Sequence, residues 1–220
     1  MHRLRLAFLF AIFVLPVTAA AEPPRHVVGF LWRGDAWTNQ RSARTDSLQA
    51  GHMANLMRRY QEGSLVGSGP ILDPKSALRG LFFFKAQSVA EVTPLVATDP
   101  AIAAGRLKID LVPWHGPDSL GVEYRTAHTA DPKLKDSMMR CVVALIEPVP
   151  GSRTLTARHS SFMKGLGDKV LMEGALTDGR DLAVLATADT AQARAWLNAD
   201  SSARAQLWPW TVAQGVIPGH

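Results

Sequence analysis

The sequence predicts an α+β protein made of two ferredoxin-like units, each with the element order β-α-β-β-α-β. Apolar runs typical of strands alternate with helical patterns in this order twice along a chain that is 47% apolar. Five landmarks also recur in the same order. They are a helix histidine (His52, His159), a strand glycine (Gly69, Gly174), a helix cap (Ser88, Asp189), an aspartate (Asp99, Asp200) and a final Pro-Trp (113–114, 209–210). We therefore expect a tandem duplication whose two sheets cover each other, forming a pseudo-dimer within one chain.

The first unit, residues 22–117, is assigned from local patterns. Its first helix is indicated by residues at i+4 spacing, namely Leu48, His52, Leu56 and Tyr60. A second helix begins at the capping box Ser88–Glu91, and Pro94 should kink or shorten it. The predicted strands are 26–32, 64–71, 78–86 and 106–114.

The second unit, residues 138–220, repeats this order in a more divergent form. Helices are predicted over 156–166 and 189–200. The predicted strands are 141–149, 169–176, 180–188 and 207–213. The polar segment 118–137 is predicted to link the two units.

The first 21 residues have the pattern of a secretory signal peptide. Arg3 and Arg5 precede an apolar run of 12 residues, and Ala19 and Ala21 form an A-x-A cleavage site. The run is short for a membrane span, which takes about 20 residues. We therefore expect an exported protein, periplasmic or secreted, with no transmembrane span once the signal is removed.

Charge and cysteine content exclude several classes of function. The formal net charge is +5, and removal of Arg3 and Arg5 leaves 22 basic against 19 acidic residues, which are scattered along the chain. Nucleic-acid binders cluster their basic residues, so no nucleic-acid partner is expected. The single cysteine, Cys141, excludes a disulfide framework and a cysteine-rich zinc site. It lies in an apolar run, which predicts a buried, unreactive thiol.

The first unit resembles the YCII-related family, small proteins of the dimeric α+β-barrel superfamily. The resemblance covers about 26–117 and rests on His52, Gly-Pro at 69–70, Asp-Pro at 99–100 and Trp114. It implies that the two units pack as an intramolecular α+β barrel. Most members of the family have no assigned reaction.

The family's proposed active site is a histidine–aspartate pair, which the resemblance places at His52 and Asp99. A weaker resemblance over about 138–214 implies a second pair, His159 and Asp200. There the Gly-Pro of the first unit is Gly-Ala and the Asp-Pro is Asp-Ser.

Such a pair is suited to acid–base chemistry. A neutral histidine is a useful base near pH 7, and an aspartate bonded to one ring nitrogen leaves the other free to accept a proton. The alternative is structural, because a histidine on an apolar helix face is commonly a core residue and an aspartate before proline commonly ends a helix. Residues from the long 33–44 loop, namely Trp37, Arg41 and Arg44, are predicted to border the first pocket and bind substrate.

Two functions are therefore expected from the sequence. The first is an exported enzyme that performs acid–base chemistry on a small organic molecule without metal or cofactor. The second is a non-catalytic ligand-binding or scaffolding domain whose histidine–aspartate pairs are vestigial. Further self-association of the pseudo-dimer is compatible with either function.

Overall fold

The computed structural model describes residues 22–152 and 154–220. The predicted signal peptide, 1–21, lies outside the described residues. The first unit contains β1 (His26–Arg33), α1 (Ala43–Gln61), β2 (Leu65–Pro70), β3 (Leu78–Lys85), α2 (Val89–Ala97), α3 (Pro100–Ala103) and β4 (Leu107–His115). The second contains β5 (Met138–Pro148), α5 (Ala157–Gly165), β6 (Val170–Leu176), β7 (Asp181–Leu185), α6 (Thr190–Leu197) and β8 (Ala203–Ala213), and α4 (Val122–Ala130) lies between the units.

The eight strands form one antiparallel sheet that closes on itself. Their order is β2-β3-β1-β4-β6-β7-β5-β8, and β4 pairs with β6 where the units meet. The two outer strands also meet, because Ile71 just after β2 bridges to Trp210 in β8. At the same seam the Leu72 amide donates to the Pro209 carbonyl at 2.8 Å. The predicted α+β class and the barrel of two ferredoxin-like units are confirmed.

Alternation along the strands divides the apolar residues into three layers. In β1, Val28 and Phe30 face the barrel interior, whereas Val27 and Leu31 face the helices. The interior layer draws residues from both units and contains Trp114, 0% exposed. Each outer layer lies between one half of the sheet and its own helices. This arrangement follows from the two-residue period of a strand, which sends neighbouring side chains to opposite faces.

Helix α1 begins and ends at local signals. The Ser42 side chain accepts from the Thr45 amide at 3.2 Å, and the Thr45 hydroxyl accepts from the Ser42 amide at 2.8 Å. This reciprocal pair satisfies amides that have no partner inside the helix. After the helix, Gly63 has φ +81°, a left-handed conformation that favours glycine.

The second helical region of the first unit is divided into two pieces. Helix α2 contains Pro94 and ends at Ala97, and the Asp99 side chain then caps α3 by accepting from the Ala101 amide at 2.9 Å. Helix α2 thus lies where the sequence predicts a helix, from the Ser88 cap toward Asp99, and α3 is an additional short helix that begins at the Asp99 cap with a proline in its first position. Asp99 is thereby held at the junction of the two pieces.

The polar segment between the units contains a helix, α4, that the sequence patterns did not predict. None of its residues is buried, so no apolar stripe marks it in the sequence. It is held by polar bonds and by Tyr124, a partly buried side chain that packs against the interior layer. Arg125 donates to the Tyr60 carbonyl at 2.7 Å, and the Tyr124 hydroxyl donates to Asp136 at 2.8 Å.

Two further features concern the membrane and the thiol. Within residues 22–152 and 154–220, no helix is both long enough and apolar enough to cross a bilayer. The cysteine is buried, as its apolar run predicts. Cys141 lies in the barrel interior and is 1% exposed. Burial raises the pKa of its thiol to about 12, so the reactive thiolate is rare at neutral pH.

Candidate active site

The first histidine–aspartate pair joins helix α1 to the start of α3. His52 Nδ1 lies 2.8 Å from Asp99 Oδ2, and the residues are 8% and 0% exposed. Asn55, one turn after His52, donates to the same Oδ2 at 3.3 Å. The i and i+3 positions of a helix share a face, which is why His52 and Asn55 reach one carboxylate.

The Asp99 carboxylate is ionised within this network. Burial acts to raise its pKa, but the hydrogen bonds from His52, the Ala101 amide and Asn55 outweigh burial and hold the pKa below its usual value. A carboxylate at Nδ1 requires a proton on that nitrogen. It thereby leaves Nε2 of a neutral His52 as the proton acceptor.

The other ring nitrogen of His52 faces no carboxylate among the described residues. Nε2 makes no hydrogen bond there, and the side chain retains 10% exposure. The ring stacks on Phe82, with centroids 5.8 Å apart and an interplanar angle of 21°. An imidazole fixed by an aspartate on one side and an aromatic face below, with a free Nε2, has the chemistry of a general base.

The second pair has a different electrostatic environment. His159 Nδ1 lies 2.7 Å from Asp200 Oδ2, as in the first unit, but its Nε2 lies 3.2 Å from Asp181 Oδ2. This Nε2 contact is within ion-pair distance, but its geometry is not that of a hydrogen bond. Burial acts to lower the pKa of His159, but Asp181 and Asp200 outweigh it and the pKa is raised. His159 is therefore biased toward the imidazolium form, which cannot accept a proton.

Strand register explains the difference between the two pairs. Gly69 and Gly174 pair with Leu81 and Leu182, respectively. If these residues are aligned, Asp181 occupies the position of Gly80, and Ala183 that of Phe82. Ala183 has a methyl group where Phe82 has a ring, which leaves room beside His159. Asp181 has a carboxylate where Gly80 has no side chain, and this carboxylate lies beside His159.

The closed spaces beside the pairs are small. A cavity of about 10 Å³ is lined by Asp99, Asn55 and Phe82 but not by His52. A second, also about 10 Å³, is lined by His159 and Asp200. Each has room for about one water molecule, so any substrate of His52 must approach from the exposed side of Nε2.

The loop residues predicted to bind substrate do not converge on the pair. Trp37 packs against the apolar layer under α1 and α2 and donates through Nε1 to Asn39 at 3.1 Å. Arg41 pairs with Asp46 at 3.2 Å, and Arg44 is exposed. None of the three lines either cavity.

Sequence reasoning missed Asn55 and Asp181. Asn55 follows His52 by three residues, a spacing that could have signalled a shared face. Asp181 begins a strand, and nothing in the local sequence indicated its role, because its contact with His159 depends on the packing of α5 over β7.

Within the described residues, no group of three or more histidine, cysteine, aspartate or glutamate side chains is arranged to hold a metal ion.

Comparisons with known proteins bear on the first unit. Residues 34–115 match the model of the YCII-related domain, and no curated protein matches the chain. A solved structure of a candidate monooxygenase from Lactobacillus acidophilus NCFM is similar at 12% identity and a TM-score of 0.44, covering 87% of this chain and 94% of its own. The matched region contains both His52 and Asp99. Over residues 34–115, this chain is therefore similar to a YCII-related domain.

Proposed function

We propose that the protein is an exported enzyme that performs acid–base chemistry on a small organic molecule. His52 Nε2 is the general base, and Asp99 is the positioning residue that fixes the tautomer and stabilises the imidazolium. The observation that carries this proposal is that His52 Nδ1 is bonded to a buried carboxylate at 2.8 Å while Nε2 has no protein partner among the described residues. The reaction class is a lyase, isomerase or hydrolase step that begins with proton removal.

The second unit has a supporting role in this proposal. Its histidine is 1% exposed and lies between two carboxylates, so a substrate has no access to a free ring nitrogen. We propose that the units arose by tandem duplication, because the histidine, glycine and aspartate landmarks occupy corresponding places in the two halves of the barrel. The second copy retained the fold and lost the base.

Export rests on the pattern of residues 1–21. The proposed processed chain begins at Glu22. Mass spectrometry of the protein from a periplasmic or culture fraction should give this N-terminus to within a residue or two. Recovery of the full-length chain from the cytoplasm alone would contradict export and would leave the chemistry of His52 unaffected.

The test of catalysis begins with a thermal-shift screen of small organic molecules, followed by turnover assays on the stabilising ones. His52→Ala should reduce turnover at least about 100-fold, because a positioned general base contributes about 10²–10⁴-fold. Its melting temperature should fall, because the buried Asp99 carboxylate loses its hydrogen bond from the imidazole, so turnover is compared at a temperature where the variant is folded. The matched control, His159→Gln, should retain turnover under conditions where it is folded.

A second function is favoured by one observation. The cavity beside Asp99 has room for about one water and does not include His52, as expected of a non-catalytic binding or scaffolding domain. In that case the wild-type protein would turn over no molecule in the screen, and folded His52→Ala would bind any stabilising molecule as the wild type does. That outcome would overturn the proposed catalysis.

A further inference from the structure

Three arginines surround one tryptophan at an end of the first unit's sheet. The Cζ atoms of Arg33, Arg79 and Arg106 lie 5.4, 5.3 and 4.5 Å, respectively, from the Trp37 ring centroid. Arg33 ends β1, Arg79 lies in β3 and Arg106 precedes β4, so the three neighbouring strands contribute one cation each. All four side chains are half-buried.

These guanidinium groups have no carboxylate partner in the described part of the chain. No aspartate or glutamate oxygen there lies within 4.0 Å of any of the three. Their bonds go to backbone carbonyls: Arg106 donates to Thr38 at 3.0 Å and Arg79 to Asp73 at 3.0 Å. The buried Nε of Arg33 has no acceptor at all among the described residues.

Clustering these charges is unfavourable in the absence of an anion. Burial lowers the pKa of Arg79, the neighbouring charge of Arg33 lowers it further, and the charge of Asp73 offsets only part of this shift. A ligand that carries negative charge would relieve this repulsion and provide acceptors for unused donors. The molecule therefore contains a half-buried positive site whose complement is absent from its own described side chains.

The distances from the three Cζ atoms to the Trp37 ring are those of cation–π contacts, which are compatible with anion binding by the same arginines. A guanidinium group contacts an aromatic ring through its flat face, and its N–H groups point outward in the plane. Those edges are the groups that recognise oxyanions. Trp37 can thus support the arginine faces while their edges remain available.

The second unit does not repeat the arginine cluster at the equivalent positions. In the register that aligns Gly80 with Asp181, Arg79 corresponds to Arg180, which is paired with Asp178 through bonds of 3.0 and 2.6 Å. Pairing of β1 with β4 and of β5 with β8 aligns Arg33 with Pro148, and Arg106 with Ser202. The equivalent of Arg79 is neutralised there, and the other two cations are missing.

We propose that Arg33, Arg79 and Arg106, supported by Trp37, form a binding site for a small oxyanion of the phosphate type. A phosphate group presents three or four oxygens and can accept from three guanidinium edges at once, whereas a carboxylate presents two. The site does not include His52 or Asp99, and it stands whether or not that pair is catalytic.

Calorimetric titration with inorganic phosphate, at ionic strength held constant with NaCl, tests the site. The wild-type protein should bind saturably with a Kd of about 1 mM or tighter. Arg79→Gln and Arg106→Gln should each weaken binding at least about 10-fold. Arg180→Gln, the matched substitution in the second unit, should bind as the wild type does.

Sulfate and acetate distinguish the ligand chemistry. Sulfate should compete with phosphate, and acetate should bind at least about 10-fold more weakly because it offers two oxygens. If a glutamine variant fails to fold by circular dichroism, Arg106→Lys replaces it and should still weaken binding, since lysine keeps the charge and loses the planar edge. Absence of saturable binding, equal binding of acetate, or an equal loss in Arg180→Gln would overturn the proposal.

Discussion

His52 and His159 occupy corresponding helix positions and differ in what surrounds their second nitrogen. In the first unit Nε2 has no protein partner among the described residues, and in the second it lies 3.2 Å from Asp181. Glu173 is a further acidic residue near His159. The pKa of Glu173 is raised, mainly by burial and to a smaller extent by the negative charge of Asp181. A single carboxylate at the position of Gly80 thus distinguishes a histidine whose Nε2 has no protein partner among the described residues from one that lies between two carboxylates.

Asp181→Asn should reduce the stability of the protein in a pH-dependent way. The pKa of His159 is raised above its ordinary value of 6.5 in the folded protein, so the ion pair contributes fully below that value and its contribution is lost as pH rises through the folded-state pKa. At a pH of about 5.5 the variant should lose about 1–2 kcal/mol of unfolding free energy. Urea denaturation across pH should show this difference shrinking toward about pH 8.

The control for this prediction is Asp178→Asn, which removes the carboxylate paired with Arg180 at 2.6 Å. Any loss in that variant should be constant over the same range, because no histidine is involved. A loss in Asp181→Asn that does not vary between about pH 5.5 and pH 8 would contradict the assignment of His159 as an imidazolium.

At the scale of elements, the two longer helices of the first unit, α1 and α2, differ in how their N-termini are capped. Helix α1 has a reciprocal cap, Ser42 with Thr45. Helix α2 has only one backbone bond, from the Glu91 amide to Ser88 at 3.4 Å, because the Glu91 side chain accepts from the serine hydroxyl instead. The sequence pattern at Ser88 predicts a full capping box, but the folded geometry forms half of one.

Ser42→Ala should therefore cost more stability than Ser88→Ala. Loss of an N-cap serine typically costs about 1 kcal/mol, and the Ser42 cap holds the 19-residue helix that carries His52. Chemical denaturation of the two variants measures the difference directly. Equal losses, or a larger loss for Ser88→Ala, would show that the reciprocal bond in the α1 cap contributes little.

At the scale of the whole molecule, the barrel closes at two seams that require glycine. A Cβ on Gly174 would lie 2.3 Å from the His115 carbonyl, and a Cβ on Gly69 would lie 2.0 Å from that of Thr211. Trp114 Nε1 also donates to the Gly174 carbonyl at 2.8 Å. These are the two glycines that recur in register in the sequence, and the need for them is contact between the units.

Gly174→Ala should separate the strands at the β4–β6 seam. Forcing a methyl group against a backbone carbonyl should cost about 1–3 kcal/mol of unfolding free energy, because neither backbone can move without breaking the sheet. Gly165→Ala is the matched control. Its added Cβ meets nothing within 4 Å, and it lies in α5, so the change should be neutral or stabilising by up to about 1 kcal/mol.

Thermal and urea denaturation of both glycine variants test the seam. A Gly174→Ala protein as stable as the wild type would mean that the two halves of the sheet do not depend on this contact. A loss of unfolding free energy in Gly174→Ala but not in Gly165→Ala supports a barrel whose two halves stabilise each other at this seam.

The sequence by itself determined the order of strands and helices, the α+β class and the helix that carries each histidine. These depend on local rules, such as the two-residue period of the strands and the i+4 stripe that ends at Tyr60, and neighbouring residues suffice to state them. Helix α4 was not predicted because it buries no residue, and the short helix α3 was not predicted because it is only four residues long and begins at the Asp99 cap.

Only the tertiary structure determined the chemistry available at the two histidines and at the arginine cluster. The free Nε2 of His52, the carboxylate of Asp181 beside His159 and the arginines around Trp37 all depend on packing between elements distant in sequence. Arg33 at the end of β1 and Arg106 just before β4, for example, lie beside one ring because these two strands are neighbours in the sheet. Local periodicity tells which face a side chain occupies, but the charge it meets there is set by the long-range pairing of strands and the helices packed upon them.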